Sequence, residues 1–195
     1  MSMILHLKRA DPSDLEAFKV PAVPLVETAE QHKKSGFFAR MFASFAKTEP
    51  IKLELSDPVQ DFMFSNPESG DLIDFDKAWD ALNMMLTGEA FGNDGPLAIF
   101  YYPGVEVGPD GGYGPARYIP PENMKQFAAA LKTVSDADLI ARFDPAGFEA
   151  AQLYSSHLFS EDVIEVDYVM QNVPDLRKFA DRCADAGSGA LVAIY

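Results

Sequence analysis

Residues 74–124 read DFDKAWDALNMMLTGEAFGNDGPLAIFYYPGVEVGPDGGYGPARYIPPENM, and the fold turns on how this stretch is read. Phe75, Trp79, Leu82 and Leu86 stand at i, i+4, i+7 and i+11, the spacing of one buried helical stripe, so a helix is expected over Phe75–Leu86. Asp76 and Asp80 then face solvent near the positive helix start. Gly88 closes the helix, because glycine takes the left-handed C-cap conformation without steric cost. Leu97–Tyr102 is short, apolar and bracketed by Pro96 and Pro103, which reads as a core strand. The Gly-rich segment 104–114 reads as a loop. Pro121-Glu122-Asn123 opens the next helix, with Met124, Phe127, Ala128 and Leu131 inward.

Toward the N-terminus, Met3–Lys8 reads as a buried first strand, and Asp11-Pro12-Ser13-Asp14 as a helix start with Leu15 and Phe18 inward. Residues 35–70 show little regular patterning, and a variable insertion is expected at about 33–70. Within it, Phe37, Phe38, Met41, Phe42 and Phe45 fall on one helical face beside Lys33, Lys34, Arg40 and Lys47. Such a face packs on the protein's own core, or else docks on an anionic membrane or a partner groove.

Toward the C-terminus, Ser135-x-x-Asp138 is a capping-box variant with Leu139 and Ile140 inward. Asp144-Pro145 starts a further helix through Phe148, and Ser160-Glu161-Asp162 another. Leu176, Phe179, Ala180 and Cys183 form a buried stripe ending at Gly187. Leu191–Tyr195 is apolar throughout, as an interior strand would be. Together these elements predict an α/β protein: a small mixed sheet layered with helices, helix-rich, in a single domain of residues 1–195.

The formal net charge is −14 and the pI about 4.5. Thirteen Asp or Glu fall within residues 49–114 against two bases, Lys52 and Lys77. That balance repels phosphate backbones, so nucleic acid is not an expected partner, whereas a basic protein surface is. One cysteine, Cys183, excludes an internal disulfide and suits a reducing, cytoplasmic setting. No window approaches the length of a membrane span.

Two groups of residues could carry chemistry. Arg117 is the one cation in the glycine-rich stretch 104–121, with Glu106 and Asp110 as its acidic neighbours. It either pairs with one of these carboxylates in a structural crossover or, with Trp79, Glu106 and Tyr113, walls a small-molecule cleft. The glycines lack the Walker and dinucleotide-binding patterns. Asp71, Asp74, Asp76 and Asp80 lack the EF-hand spacing and read as a solvated helix start. His6, His32 and His157 are not spaced with one another or with Cys183 as metal ligands, and no metal or cofactor is expected. Ser155-Ser156-His157 is adjacency without a nucleophile elbow.

Three features together resemble the YfbM-like family of bacterial domains of unknown function: the run 76–88 around Trp79, Pro96-Leu97, and the run 112–124 around Gly114, Arg117 and Tyr118. The resemblance covers about Ile73 to Tyr195 and the opening Met3-Ile4. It implies a compact, usually cytoplasmic α/β domain, and neither an established reaction nor a catalytic set. Members often carry a histidine in the Trp-bearing helix, where this chain has Asp80 and Asn83. The leading expectation is an acidic binding or interaction domain without catalysis. The alternative is a small-molecule-binding protein or enzyme with its cleft near Trp79, Glu106, Tyr113 and Arg117.

Overall fold

The computed structural model describes residues 3–18, 58–65, 70–92, 94–110, 112–160 and 165–195. The Phe37–Phe45 face, and most of the expected insertion, lie outside the described residues.

Among the described residues, five strands form one sheet: β1 (Leu5–Ala10), β2 (Leu72–Asp74), β3 (Val105–Val107), β4 (Ala116–Ile119) and β5 (Gly189–Ile194), in the order β2-β1-β5-β4-β3. Every pairing among them is antiparallel. The C-terminal strand β5 lies at the centre, between β1 and β4. Its unbroken apolar sequence follows from that position. Ala190 and Val192 enter the core on one face, and Leu191 and Ala193 the core on the other. β1 alternates likewise, with Leu5 and Leu7 on the first face and Ala10 on the second.

Nine helices accompany the sheet among the described residues: α1 (Asp14–Phe18), α2 (Pro58–Phe64), α3 (Trp79–Thr87), α4 (Pro121–Leu131), α5 (Asp136–Ala141), α6 (Pro145–Ala150), α7 (Ser156–Ser160), α8 (Val166–Met170) and α9 (Val173–Ala186). The chain is α/β, with helices on both faces of its sheet. The larger core takes Leu82 and Met85 of α3, Phe127 and Leu131 of α4, and Leu176 and Phe179 of α9. The smaller core takes Phe18 of α1 with Val59 and Met63 of α2.

The glycine caps and the capping box are as expected, whereas Asp144, ahead of α6, makes no side-chain cap hydrogen bond. Gly88 has φ 82 and donates its N–H to the Met84 carbonyl, and Gly187 closes α9 at φ 65. Ser135 and Asp138 complete a reciprocal capping box. Pro121 and Pro174 sit in the first turns of α4 and α9, where a missing N–H costs nothing.

Several expectations need correction. The sheet is antiparallel throughout, not mixed. Helix α3 begins at Trp79, so Phe75 enters the core from the segment before it. Leu97–Tyr102 is not a strand but a chain of tight turns, with Ile99 N–H bonded to the Leu97 carbonyl and Gly104 N–H to that of Tyr102. Asp80 is buried, not solvent-facing. Ile140 points outward, 49% exposed, while Leu139 alone is buried. Residues 58–64, read as irregular, are helical. Lys8, buried in β1, gives its ammonium to the carbonyls of Phe62, Met63 and Ser65 and so closes the C-terminal end of α2.

Candidate functional site

Helix α4 presents Asn123, Gln126 and Phe127 at i, i+3 and i+4, on one face. Opposite runs the irregular segment 94–103. Between them lies a cavity of about 290 Å³. Buried Ile99, Ile119 and Phe127 supply apolar surface, and Asp94, Tyr102, Asn123 and Gln126 supply polar groups. Asp94 and Gln126 are exposed, and Tyr102 and Asn123 half-buried. Among the described residues, the Asp94 carboxylate and the side-chain amides of Asn123 and Gln126 have no hydrogen-bond partner. An apolar floor with a few convergent, uncommitted polar groups is how ligand pockets are built.

The wall 94–103 stays irregular because its polar main chain finds partners other than a strand. Arg117 of β4 donates from Nη2 to the Phe100 carbonyl at 2.8 Å and from Nη1 to the Tyr102 carbonyl at 3.3 Å. The guanidinium thus fixes two carbonyls of a segment whose side chains Ala98, Ile99 and Phe100 are buried. Burial pulls the pKa of Arg117 below its ordinary value, opposed by Tyr101 and Glu106. It keeps its proton all the same, since a guanidinium does not titrate in proteins.

The four residues singled out from sequence separate. Trp79 is in the core, its indole N–H 3.4 Å from the Met3 carbonyl and its ring 5.6 Å from that of Tyr101. Glu106 stands opposite Arg117 in the β3–β4 ladder and is exposed. Tyr113 is half-buried in the turn joining those strands, which Asp110 organises by accepting from the N–H groups of Gly112 (2.7 Å) and Gly114 (2.9 Å). None of the four lines the 290 Å³ cavity. Arg117 reaches it indirectly, through the carbonyls of its wall. The segment expected to be a crossover loop is a hairpin, and Arg117 bonds to main chain instead of pairing with Glu106 or Asp110.

Asp80 was missed as a buried group. It is 1% exposed and accepts from Ser155 Oγ at 2.7 Å, Ser155 N–H at 3.2 Å and Ala81 N–H at 2.8 Å. Burial raises its pKa, and these donors oppose the rise. The same burial, with the nearby Asp80 charge, pushes the Tyr101 phenol up to about 12. Asn83, also buried, donates to the carbonyls of Glu89 and Ala90, while its Oδ1 has no partner among the described residues. Spacing along α3 gave no warning of this: Asn83, Thr87 and Asp80 share one arc of the helix, opposite Ala81, Leu82 and Met85, as the residues of a solvated face would.

The family described as "Domain of unknown function (DUF1877)" matches residues 1–193. The chain belongs to this family. The match also takes in residues 1–72, of which the resemblance had covered only Met3-Ile4. The fold is similar to the crystal structure of YfbM, a protein of unknown function from Escherichia coli, with a TM-score of 0.57. That alignment covers 98% of this chain and 99% of YfbM at 16% identity, which shows a shared fold. A search of curated proteins gives no match. Among the described residues, no helix is long and apolar enough to cross a membrane.

Proposed function

We propose that this family member is a cytoplasmic binding domain for a small neutral or cationic molecule, held without chemical conversion in the cavity between residues 94–103 and α4. The observation that carries this reading is the pairing of uncommitted polar groups, Asp94, Asn123 and Gln126, with the buried apolar surface of Ile99, Ile119 and Phe127. Among the described residues, Asp94 is the one charged residue in the lining, so an anion meets repulsion there, and the −14 net charge repels it further out. Side-chain amides neither take up nor release protons near neutral pH, which suits recognition by hydrogen bonding over acid–base work. Arg117 serves as a positioning residue by holding the Phe100 and Tyr102 carbonyls.

The test is a thermal-shift screen with matched neutral, cationic and anionic small molecules. Neutral or cationic hits should stabilise the protein and lose that effect in Asn123→Ala and Asp94→Asn. Hits that are anionic, or unaffected by both substitutions, overturn the reading.

A second reading is a basic protein partner. Among the described residues of the 49–114 segment, seven acids are exposed: Asp61, Asp74, Asp76, Glu89, Asp94, Glu106 and Asp110. Association by this route would weaken steeply with salt. A basic polypeptide whose binding is insensitive to salt would count against it.

A further inference from the structure

The cavity between residues 94–103 and α4 is graded from inside to outside. Ala98, Ile99, Ile119 and Phe127 are buried and form its apolar floor. Asp94 and Gln126 are exposed at its mouth, and Tyr102 and Asn123 are half-buried. A ligand that matches this grading is amphipathic, with an apolar body on the floor and a polar end at the mouth.

The polar groups of the mouth are also uncommitted. The Asp94 carboxylate and the carboxamides of Asn123 and Gln126 have no hydrogen-bond partner among the described residues. A second cavity, of about 270 Å³ between β2 and α9, shows the contrast. Asp175 there pairs with Lys178 at 2.9 Å, and Asp74 with His6 at 3.6 Å and with the Asp76 N–H at 2.7 Å. Arg182 is engaged as well. The first cavity instead leaves a carboxylate unmet.

We infer that the first cavity takes a primary amine with an aryl or branched alkyl body, an inference that rests on the binding role proposed above. An ammonium has three N–H donors and no acceptor. The Asp94 carboxylate, Asn123 Oδ1 and Gln126 Oε1 provide one acceptor for each. Asn123 and Gln126 stand one turn apart on α4, and Asp94 belongs to the opposite wall. Each carboxamide turns about its last bond to present its oxygen. The bond between ammonium and carboxylate is charge-assisted, and so stronger than that of a neutral hydroxyl. The half-buried Tyr102 adds an aromatic ring, a surface that attracts cations. The net charge of −14 draws cations in from solution. A hydroxyl has one hydrogen to give, and a quaternary ammonium has none. A short amine leaves the floor of Ile99, Ile119 and Phe127 uncovered.

The experiment is isothermal titration of the full chain with phenethylamine, its trimethylammonium form, phenethyl alcohol, phenylpropionate and methylamine. Phenethylamine should bind. Losing the N–H donors, the charge or the apolar body should each weaken binding by about tenfold or more, and the anion should bind least. Asp94→Asn and Asn123→Ala should each weaken the amine by about tenfold. Asp61→Asn, which removes an exposed carboxylate outside the lining, should leave it unchanged. The side chains of Asp94 and Asn123 hold no partner, so both variants keep the fold. Equal binding of the alcohol or the trimethylammonium form overturns the inference, as does affinity indifferent to Asp94→Asn or no binding of the amine at millimolar concentration. If a neutral compound binds in an Asn123-dependent way where the amine fails, the amine is lost and the cavity remains a binding site. If neither binds, the binding role falls with it.

Discussion

Arg117 faces Glu106 across the β3–β4 ladder, yet its guanidinium turns to the Phe100 and Tyr102 carbonyls. The charge that sequence proximity offers is passed over for two main-chain acceptors. An exposed ion pair is worth little, whereas buried carbonyls left unpaired are costly.

Arg117→Ala should therefore destabilise the protein by about 2–3 kcal/mol, since two carbonyls lose their donors. Glu106→Ala should change stability by no more than about 0.5 kcal/mol. Urea unfolding of both variants checks the contrast. Comparable losses would mean that the cross-strand charge pair matters after all.

Asp80→Ala strands the Ser155 N–H, the Ser155 hydroxyl and the Ala81 N–H, and should cost about 2–4 kcal/mol. The pH dependence has a definite sign. The folded pKa of Asp80 lies above its unfolded value, so the folded state takes the proton first as pH falls. Ionised Asp80 thus weighs against the fold at neutral pH, and that cost fades through the raised pKa toward about 3.9. Asp80→Asn should remove this component from the stability–pH curve.

His6 acts in the opposite direction. It is 7% exposed, its Nε2 lies 3.6 Å from Asp74 Oδ2, and burial lowers its pKa more than Asp74 raises it. The unfolded chain then binds the proton first. The contribution of His6 is complete above about pH 6.5 and is lost as pH falls from there to the lowered folded value. Denaturant unfolding at pH 7.5 and 5.5 should show wild type losing more stability than His6→Gln over that interval.

Two glycines should respond differently to alanine. At Gly88 an added Cβ meets nothing within 4 Å, so the left-handed φ of 82 is the whole cost, about 1 kcal/mol. At Gly104 the Cβ would strike the Tyr118 carbonyl, main chain that cannot step aside. Gly104→Ala should cost more than about 2 kcal/mol. Thermal melts of the pair test the order.

Helices α4 and α9 were legible because one face of each is apolar at helical spacing and a proline marks each first turn. β5 was legible because a centre strand buried on both faces has no polar positions. What escaped depends on partners distant in sequence. Helix α2 is closed by Lys8, more than fifty positions away. The irregular course of 97–103 rests on Arg117, and the burial of Asp80 on Ser155. Local spacing cannot announce a donor that arrives from another element. The same holds for the first cavity. Its polar residues are unremarkable in sequence, and only the approach of α4 to the 94–103 wall brings Asp94 to Asn123 and Gln126.

Cys183 is fully buried in α9, its thiol pushed up to about 12 chiefly by burial. As the chain's one cysteine it cannot be mistaken for another site. A thiol-specific dye added to native protein will therefore wait for the core to open, and its labelling rate times that opening molecule by molecule. The fold carries its own clock, readable in solution without inserting a probe.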